Sequence, residues 1–541
     1  MAANGHGLHS MTGYHHMLAK TLIVIILLPI TLSAEIPDWV KNQGVSAHYS
    51  TLRYLTGFGM AKLDKNGNRA DAVQLASDYA KKNLIEKIRV NVSSNVVSKN
   101  EETEKKYSTY FSAAVQSTAS MDLQGLETQT YVDEDQGMTY AFACASRASI
   151  SDLYGKKVAD LRSQIQEHIA NGKKFDDQNQ RMKALTEYLA CYPLFRQLEE
   201  AETILVAAQT SESKAFGELD TTVKKDDLTV NNVRQAVDRL VQRPINSVDD
   251  LAWYITYTLK GQSDLRGKNV MVAPFTYQDT KLGSPFSRYF KQALESRAVE
   301  TAHWQVVQQS TNVQPKTRDV ARDFAQASGA DIVCSGTYWE LPDGIKVQAL
   351  LRSVTDGKIV GSAEQVVPAP VIQSSNQSLK PQNFKEAFAD QKDFRTGEVV
   401  GGGLSLETWT NKGVENLIFT KGERMTVYVR VNMPCYVRFI YHLASGERTL
   451  LMDSHYIDET KVNKVYQIPQ EFECDAPYGG EVLQVFARTE EFDPVETVEK
   501  DGYKYLKEDL KKFLVATRGF KAVKQASMQA EQRLTITSME K

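Results

Sequence analysis

The sequence predicts a multidomain α+β protein with a small α+β N-terminal domain, a helical hairpin, an α/β domain and a C-terminal β-sandwich. Three patterns support this prediction. Apolar residues recur at helical spacing between Ala70 and Val92. Strand and helix patterns alternate from Asn231 to Pro368, an order that is typical of an α/β layer. Short strands, several with apolar residues at every second position, dominate the chain after Gly401.

Length and composition bound the class of protein. The 541 residues are enough for three or four domains of ordinary size. The hydrophobic share of 42% and the charged share of 24% are those of an ordinary globular protein. The net charge of −3 provides no global basic field, so we expect no nucleic acid partner and, at most, a peripheral association with a membrane. The predicted units are an N-terminal segment (1–34), an α+β domain (35–150), a helical hairpin with its connection (151–230), an α/β domain (231–368), a linker (369–400) and a β-sandwich (401–541).

The N-terminal segment is predicted to be an extension followed by a secretory signal peptide. Lys20 precedes an apolar run from Leu22 to Leu28, which is shorter than the about 20 residues that span a bilayer. Cleavage is predicted after Ala34, which predicts export to the periplasm, with or without association with the outer membrane. Met17 is an alternative start residue, and an uncleaved anchor is the alternative interpretation of the segment.

The first two units combine strand and helix patterns. The strand "LRYLTGFGMAKL" precedes the long helix, a second amphipathic stretch "YSTYFSAAVQSTAS" follows, and two further strands meet at an acidic turn from Asp133 to Gly137. The hairpin begins at "SISDLYG", where serine and aspartate are good helix caps, and its second helix is predicted to break near Pro193. A polar connection, "TSESKAFGELDTTVKKDD", ends this part of the chain.

The third unit begins with a helix capped by Ser247. The strand "NVMVAPF", a helix after Ser284 and Pro285, the strand "WQVVQQ" and a helix closed by Gly329 follow in order. Three more strands complete the layer, and the last two meet at "TDG".

The last unit follows a linker predicted from the composition of "PAPVIQSSNQSLKP". Alternating residues of one of its strands face the same way, which predicts a β-sandwich; these residues are Met425, Val427, Val429 and Val431. A charged helix, "YKYLKEDLKKFL", and a final strand, "RLTITSM", are predicted to close the chain.

The cysteines do not predict a disulfide framework or a metal site, because the five of them are scattered and none forms a CxxC pair. Cys435 and Cys474 would pair only if strands bring them together, since disulfide geometry is strict.

Three segments resemble bacterial families. "PDWV", "YLTGFGMA", "DAVQLASDYAKKNLIEKIRVNVSS" and "GMTYAFACASR" are similar to the domain shared by the twenty-kilodalton envelope lipoproteins and the N-terminal part of flagellar assembly protein T (FlgT). "VMVAPF", "ASGADIVCSGTYWE" and "DGKIVGSAE" resemble the middle domain of FlgT and, more distantly, the N-terminal domain of TolB and the curli-secretion lipoprotein. "LSLETWTNKG", "FTKGERMTVYVRVNMPCYVRFIYHLASGE" and "TRGF" resemble an uncharacterised domain of bacterial exported proteins.

The resemblance implies an exported envelope protein of a Gram-negative-type bacterium. Relatives of the first and middle domains are accessory parts of outer-membrane-associated machines and bind other proteins. The implied partners are therefore protein components of an envelope assembly, with the oligomeric state left open. The C-terminal unit departs from FlgT, so the resemblance does not imply a specifically flagellar role. The implied machine is a flagellar or a secretion apparatus.

The stretch from Lys268 to Ala298 has the strand, loop and helix order with which many nucleotide sites begin. A phosphate loop needs inward-facing backbone N–H groups, which glycines allow. This loop contains a single glycine, Gly283, followed by Ser284 and Pro285, which are better interpreted as a helix start. Neither GxxxxGK[ST] nor GxGxxG occurs in the chain, so no cofactor is predicted.

Other candidate sites are weaker. The turn from Asp64 to Asn68 has the wrong glycine position for a calcium loop. GxSxG and HExxH are missing from the sequence, and His442 and His455 lie near Asp453 in a pattern best explained by chance. No catalytic or metal-binding residue is therefore predicted, and the chain is predicted not to be an enzyme.

Aromatic residues are the remaining candidates for partner binding. Trp253, Tyr254 and Tyr257 share one helix, and Tyr338 and Trp339 end a strand. Most such residues belong to a core, and they would bind a partner only if they are exposed on one patch.

The favoured hypothesis is a non-enzymatic, exported scaffold that docks on an envelope machine, such as a flagellar or secretion apparatus. The alternative is a periplasmic module that binds a ligand or glycan through its C-terminal β-domain. A hydrolase assembled from distant residues is the third hypothesis, and no motif supports it.

Overall fold

The structure is a computed structural model that describes residues 36–63, 69–97, 125–208, 230–278, 280–342, 344–385, 387, 403–500, 502–507 and 528–540. The predicted signal peptide with Ala34, the turn from Asp64 to Asn68, the second amphipathic stretch and the polar connection lie outside these residues. Residues 37–541 form one compact unit, so the predicted domain boundaries within it stay predictions.

The described helices are α1 (Asp38–Lys41), α2 (Arg69–Val97), α3 (Arg147–Asp177), α4 (Arg181–Ala208), α5 (Val230–Val241), α6 (Val248–Lys260), α7 (Pro285–Arg297), α8 (Val320–Ala327) and α9 (Ala369–Gln373). The described strands are β1 (Tyr54–Lys62), β2 (Glu127–Asp133), β3 (Met138–Ser146), β4 (Asn269–Val272), β5 (Thr276–Tyr277), β6 (Gln305–Val307), β7 (Ile332–Leu341), β8 (Gly344–Ser353), β9 (Ile359–Pro368), β10 (Leu406–Thr410), β11 (Leu417–Thr420), β12 (Arg424–Val431), β13 (Cys435–His442), β14 (Arg448–Ile457), β15 (Tyr466–Glu473), β16 (Gly480–Arg488), β17 (Thr497–Lys500), β18 (Tyr503–Leu506) and β19 (Gln529–Met539). The predicted multidomain α+β class is confirmed.

The N-terminal unit is an antiparallel sheet in the order β1-β3-β2, with α2 packed against it. The approach of helix and sheet is very close. A Cβ atom at Gly57 would lie 2.1 Å from the Ala80 carbonyl oxygen, and one at Gly59 would lie 2.3 Å from that of Ala76. These two glycines therefore allow α2 to lie directly on β1.

The helical hairpin consists of α3 and α4. Helix α3 begins earlier than predicted, because Ser146 is its cap and its side chain accepts a hydrogen bond from the Ser149 amide. The predicted break near Pro193 is wrong, since α4 runs through this residue. Proline removes one backbone hydrogen bond, but Tyr192 and Phe195 on either side are buried, and their packing holds the helix together.

The α/β unit has a sheet in the order β6-β4-β7-β8-β9. Strands β4, β6 and β7 are parallel, and β8 and β9 add an antiparallel hairpin. The predicted caps Ser247 and Ser284 are confirmed by their side-chain hydrogen bonds to the helices that follow. The predicted linker is not irregular throughout, because α9 places Val371 and Ile372 in the core of this unit.

The β-rich unit is a sandwich of a three-stranded sheet, β10-β12-β15, and a seven-stranded sheet, β11-β19-β16-β13-β14-β18-β17. The four alternating residues singled out in the sequence share one core with the seven-stranded sheet; they are Met425, Val427, Val429 and Val431. The prediction of a helix at "YKYLKEDLKKFL" is wrong for its first four residues, which form β18. The rest of that segment lies outside the described residues.

The two ends of the described chain meet. Aromatic residues of the N-terminal unit, including Trp39, Phe58 and Phe142, share a hydrophobic core with the β-sandwich. The Asn432 side chain donates a hydrogen bond of 3.1 Å to the Met60 carbonyl oxygen across this contact. The chain therefore closes on itself, with its first unit packed against its last.

A buried ion pair fixes the hairpin to the α/β unit. The Nη2 atom of Arg196, in α4, lies 2.7 Å from Oε2 of Glu364, in β9, and both side chains are buried.

Candidate functional site

The N-terminus of α7, where a nucleotide phosphate would bind, is occupied by the protein's own groups. Ser284 and Ser287 form a capping box, and both hydroxyls lie within hydrogen-bond distance of the Tyr338 hydroxyl. The Gly283 amide donates to Oγ1 of Thr537 at 2.8 Å, and a Cβ atom at Gly283 would lie 2.6 Å from the Ile418 side chain. The β-rich unit therefore fills the place that a phosphate would need.

A buried carboxylate joins three units. Glu407, in β10, accepts from Nζ of Lys82 at 2.8 Å, from Nη1 of Arg318 at 2.6 Å and from Nε of Arg430 at 2.7 Å. Lys82 belongs to α2, Arg318 to the loop before α8, and Arg430 to β12. Burial alone would raise the pKa of Glu407, but the three cations outweigh burial and lower its pKa to about 2.

Further hydrogen bonds extend this junction. Arg430 also donates to the carbonyl oxygens of Pro315 at 2.9 Å and Thr317 at 2.5 Å. Arg318 lies 4.2 Å above the centre of the Tyr79 ring, and both residues donate to Oδ1 of Asn463. The N-terminal, α/β and β-rich units therefore meet in one saturated polar cluster.

A cavity of about 150 Å³ lies next to this cluster, under α8. Its walls come from the ends of β4, β7 and β8, from α8, and from the loop between β10 and β11, residues 411–416. Its lining is mostly apolar, with Met271, Phe324, Val333 and Val354 among its residues.

Five charged residues line the cavity: Asp319, Arg322, Arg352, Lys412 and Glu415. Asp319 is the N-cap of α8, and its Oδ1 atom accepts from the Arg322 amide at 3.0 Å. Burial raises the pKa of Asp319 above its usual range. The loop that carries Lys412 and Glu415 is tied to the α/β unit, because Nε2 of Gln309 donates to the Lys412 carbonyl oxygen at 2.7 Å.

The aromatic residues predicted to bind a partner do not form one exposed patch. Trp253 and Tyr257 stack at 4.9 Å, with Arg243 over the Trp253 ring, and both aromatic residues are half-buried. Tyr254 is buried, and its hydroxyl donates to Asp238 at 2.6 Å.

Tyr338 and Trp339 are also buried, and they lie within the α/β sheet rather than at its surface. The structure thus brings Trp253, Tyr254 and Tyr257 together on α6 and places the strand pair elsewhere. Their contacts are those of core residues, as is usual for aromatic side chains.

The histidines and cysteines named in the sequence have separate partners. His442 contacts Gln484 at 3.0 Å, His455 stacks on Tyr466, and Asp453 pairs with Arg438. Cys435 and Cys474 are both free thiols.

Sequence reasoning did not identify the residues of the junction or of the cavity. Glu407 and Arg430 are direct partners across neighbouring strands, so a correct register of β10 on β12 would have paired them. Arg318, Asp319 and Glu415 lie in loops or at a helix cap, and no spacing in the sequence relates them to Glu407.

Membrane-spanning segments and metal centres are the remaining classes of site. No described helix combines the length and the apolar character that crossing a membrane requires. No group of three or more His, Cys, Asp or Glu residues in the described ranges is arranged to hold a metal ion.

Comparison with known proteins gives one family match. Residues 418–491 match the family model of a domain of unknown function, DUF4384. This match confirms that the β-rich unit contains an uncharacterised domain, and it covers the middle of that unit rather than its whole predicted range. No curated protein matches the chain.

Three solved structures show weak similarity. The LpoB C-terminal domain from Salmonella enterica has 18% identity and a TM-score of 0.18, over 21% of this chain and 98% of that chain. The secreted protein HP1454 from Helicobacter pylori has 11% identity and a TM-score of 0.18, over 63% of this chain and 98% of that one. TolB from Acinetobacter baumannii has 12% identity and a TM-score of 0.14, over 43% of this chain and 62% of that one. Likeness at these TM-scores carries no argument about function, and the resemblance to FlgT stays a prediction.

Proposed function

We propose that the protein is an exported, non-enzymatic scaffold of the bacterial cell envelope that docks on a protein assembly. The observation that supports this most is the use of its polar groups at unit boundaries. Glu407 is saturated by cations from three units, and the helix N-terminus at Ser284 is filled by side chains of the protein itself. Charged and polar side chains that could take part in catalysis instead hold the units together.

The closed arrangement supports the same function. The N-terminal sheet and the β-sandwich share one core, and Arg196 and Glu364 fix the hairpin to the α/β unit. A chain joined in this way presents surfaces from four units in fixed positions, which reduces the entropy lost when a partner binds. A predicted signal peptide ending at Ala34 and a resemblance to envelope proteins favour the periplasm as the location.

The finer proposal is that the assembly is a flagellar or secretion apparatus. The test is crosslinking in living cells of the native host. We would place a photo-crosslinking residue at one well-exposed apolar position in each unit of the full chain: Leu52, Met182, Val299 and Val498. The envelope fraction would then be isolated and the crosslinked proteins identified by mass spectrometry.

We expect mature protein in the envelope fraction and a single set of partner proteins shared among the four positions. Mature protein in the cytosol would contradict export, and an envelope protein with no crosslinked partner would contradict docking. The identities of the crosslinked proteins distinguish a flagellar from a secretion apparatus. A Glu499→Gln variant changes another exposed residue of β17, next to Val498. It is the matched control for the effect of altering this surface.

The alternative function is recognition of a small ligand. It is favoured by the cavity under α8, which the β-rich unit borders through residues 412–416. The cavity differs from a typical glycan-binding site, because Phe324 is the one aromatic side chain among the described residues that line it.

A further inference from the structure

Strand β2 forms an open edge of the N-terminal sheet. It pairs with β3 in an unbroken register that runs from Glu127 opposite Cys144 to Asp133 opposite Met138. No described strand pairs with its other side. An edge strand offers unpaired N–H and C=O groups to another chain, and the seven residues of β2 are a full strand length.

The hydrogen-bond pattern shows which residues of β2 turn their backbone groups outward. The Leu63 amide donates to the Gly137 carbonyl oxygen at 2.8 Å, one step beyond the last paired residues of β1 and β3. Because bonded and non-bonded pairs alternate in an antiparallel ladder, Thr139, Ala141 and Ala143 direct their backbone groups to β1. The β3 residues between them face β2, which leaves three β2 residues with N–H and C=O groups that point away from the sheet: Thr128, Thr130 and Val132.

These outward groups are free to bind another chain. Within the described ranges, no hydrogen bond joins the N–H or C=O groups of Thr128, Thr130 or Val132 to the rest of the protein on this side. Thr128 and Thr130 are exposed, and Val132 is half-buried.

The opposite edge of the same sheet is blocked by side chains. On β1, the Phe58 amide donates to Oδ1 of Asn83 at 3.2 Å. The Met60 carbonyl oxygen accepts from Nδ2 of Asn432 at 3.1 Å. Side chains thus occupy the backbone groups with which a further strand would pair on this side.

The edges of the other sheets are also blocked or short. Gln262 bonds both the N–H and the C=O of Ser362 on β9, and Gln532 does the same for Thr408 on β10. Strand β15 contains Pro469, which has no N–H to donate. Strands β6, β11 and β17 have three or four residues each. Among the described edges, β2 alone is both long and open.

The open edge and its turn are acidic. Between Gly125 and Gly137 the chain has four carboxylates and neither lysine nor arginine. The carboxylates are those of Glu127, Asp133, Glu134 and Asp135. Arg69 pairs with Glu134 at 2.9 Å, and both of these side chains are exposed. Opposite charges across a strand pair are favourable and like charges are not, so a basic strand fits this edge better than a second copy of β2.

We propose that the outer edge of β2 is a docking site for an extended, basic segment of a partner protein, which adds to the sheet as a fourth strand. Main-chain hydrogen bonds to the outward groups hold this segment. Glu127 and Asp133 lie on one face of the sheet, so they select a segment with two basic side chains that lie opposite them. The proposal identifies a surface for the docking function proposed above and rests on that function.

The experiment measures fluorescence anisotropy of a labelled peptide with the full chain. The peptide is acetylated and amidated, with the sequence Lys-Thr-Val-Thr-Val-Thr-Lys. Its two lysines have the spacing of Glu127 and Asp133, and its β-branched residues favour a strand. A second peptide, Glu-Thr-Val-Thr-Val-Thr-Glu, reverses both charges on the same body.

The variants separate the backbone edge from its charge. Thr130→Pro removes one outward N–H and leaves the hydrogen bonds between β2 and β3 in place, whereas Thr130→Ala keeps the amide and is the matched control. Glu127→Gln removes one charge of the edge at nearly constant shape, and Glu499→Gln removes an exposed charge from another sheet.

We expect saturable binding of the basic peptide at or below about millimolar concentration, and binding of the acidic peptide that is about tenfold weaker. Thr130→Pro should weaken binding of the basic peptide by about fivefold or more, because a main-chain hydrogen bond is lost. Glu127→Gln should weaken it by about twofold or more, and the two control variants should bind it as the unchanged protein does. Hydrogen exchange of the Thr128, Thr130 and Val132 amides should slow when the peptide binds.

The proposal is overturned if the basic peptide does not saturate, if the acidic peptide binds equally well, or if a folded Thr130→Pro variant binds without loss. Should Thr130→Pro fail to fold, unchanged amide exchange or equal binding by Glu127→Gln would overturn it. A dimer in sedimentation that Thr130→Pro dissociates would assign the edge to a second copy instead. The peptide assay tests the edge alone, whereas crosslinking in cells tests docking, so failure of either is recognised separately.

Discussion

The Nζ atom of Lys82 and the Oε1 atom of Glu407 lie 2.8 Å apart, although 325 positions separate the two residues in the chain. The pair joins α2, which packs against the N-terminal sheet, to β10, the first strand of the β-sandwich. Because Arg318 and Arg430 share the same carboxylate, this contact is part of a buried cluster and not an isolated surface pair.

Removing the charge of Glu407 should strongly destabilise the protein. A Glu407→Gln variant leaves Lys82, Arg318 and Arg430 without a carboxylate, and breaking a buried ion pair from one side costs about 3–5 kcal/mol. The free energy of unfolding in urea measures this loss. Glu459→Gln is the matched control, because Glu459 pairs with Lys62 between the same two units at the surface, and the loss of this exposed pair should cost far less than the loss of Glu407. Equal effects of the two changes would contradict the assigned role of Glu407.

The lowered pKa of Glu407 also predicts how the free energy of unfolding depends on pH. The pKa of Glu407 falls from 4.5 to about 2 on folding, so its stabilising contribution is present above pH 4.5 and is lost as the pH falls through 2. The unfolding free energy of the unchanged protein should therefore decline more steeply over this window than that of Glu407→Gln. Parallel declines in urea titrations across this pH range would show that Glu407 is not the group responsible.

Glu481 should have the opposite effect on the pH dependence of stability. Burial raises its pKa from 4.5 to about 7, against hydrogen bonds from the Tyr441 hydroxyl and the Ala444 amide. A raised carboxyl pKa contributes stability that is fully present below pH 4.5 and is lost as the pH rises through 7. Glu481→Gln should therefore be more stable than the unchanged protein above pH 7, by an amount on the order of a few kcal/mol. Thermal unfolding on both sides of this pH tests it, and a variant that is less stable at every pH would contradict it.

The contact between α2 and β1 should not tolerate a methyl group. Gly57→Ala would place a Cβ atom 2.1 Å from the Ala80 carbonyl oxygen, so the helix must move away from the sheet. We expect a loss of about 3 kcal/mol or more in the unfolding free energy, at the upper end of the overpacking range.

Gly155→Ala is the control for this change, since Gly155 lies in helix α3, where an added Cβ atom would meet nothing within 4 Å. That substitution should stabilise the protein by about 0.5–1 kcal/mol, because alanine loses less conformational entropy in a helix. An unchanged melting temperature of Gly57→Ala would contradict the close contact between α2 and β1.

Local patterns in the sequence were sufficient for most elements. Ser247, Ser284 and Gly329 mark helix ends through chemistry that involves a few neighbouring residues, and the structure confirms all three. Met425 and Val427 indicate one buried face of a strand because side chains alternate in β structure. At the misjudged positions, such as Pro193 and α9, the packing of nearby side chains into a hydrophobic core overrides local preference.

The junction and the cavity could not be predicted in the same way. Arg318 and Glu407 are 89 positions apart, and Lys82 is still further away, so their contact depends on the arrangement of whole units. Glu415 lies in a short loop whose sequence resembles any polar turn, and its place on a cavity is visible only once the cavity walls are assembled. Aromatic residues were predicted to bind a partner because of their residue type, but Tyr254 and Tyr338 are buried.

The shared core of the first and last units has a consequence for how the chain folds. Phe58 and Phe142 are made well before Leu534 and Ile536, which complete the same core. A chain that is made from its N-terminus must therefore leave this aromatic surface uncovered until β19 has been made. Such long-range closure slows folding and exposes an aggregation-prone surface in the meantime. We expect any truncation before β19 to leave this surface open and the shortened protein to be removed by proteases.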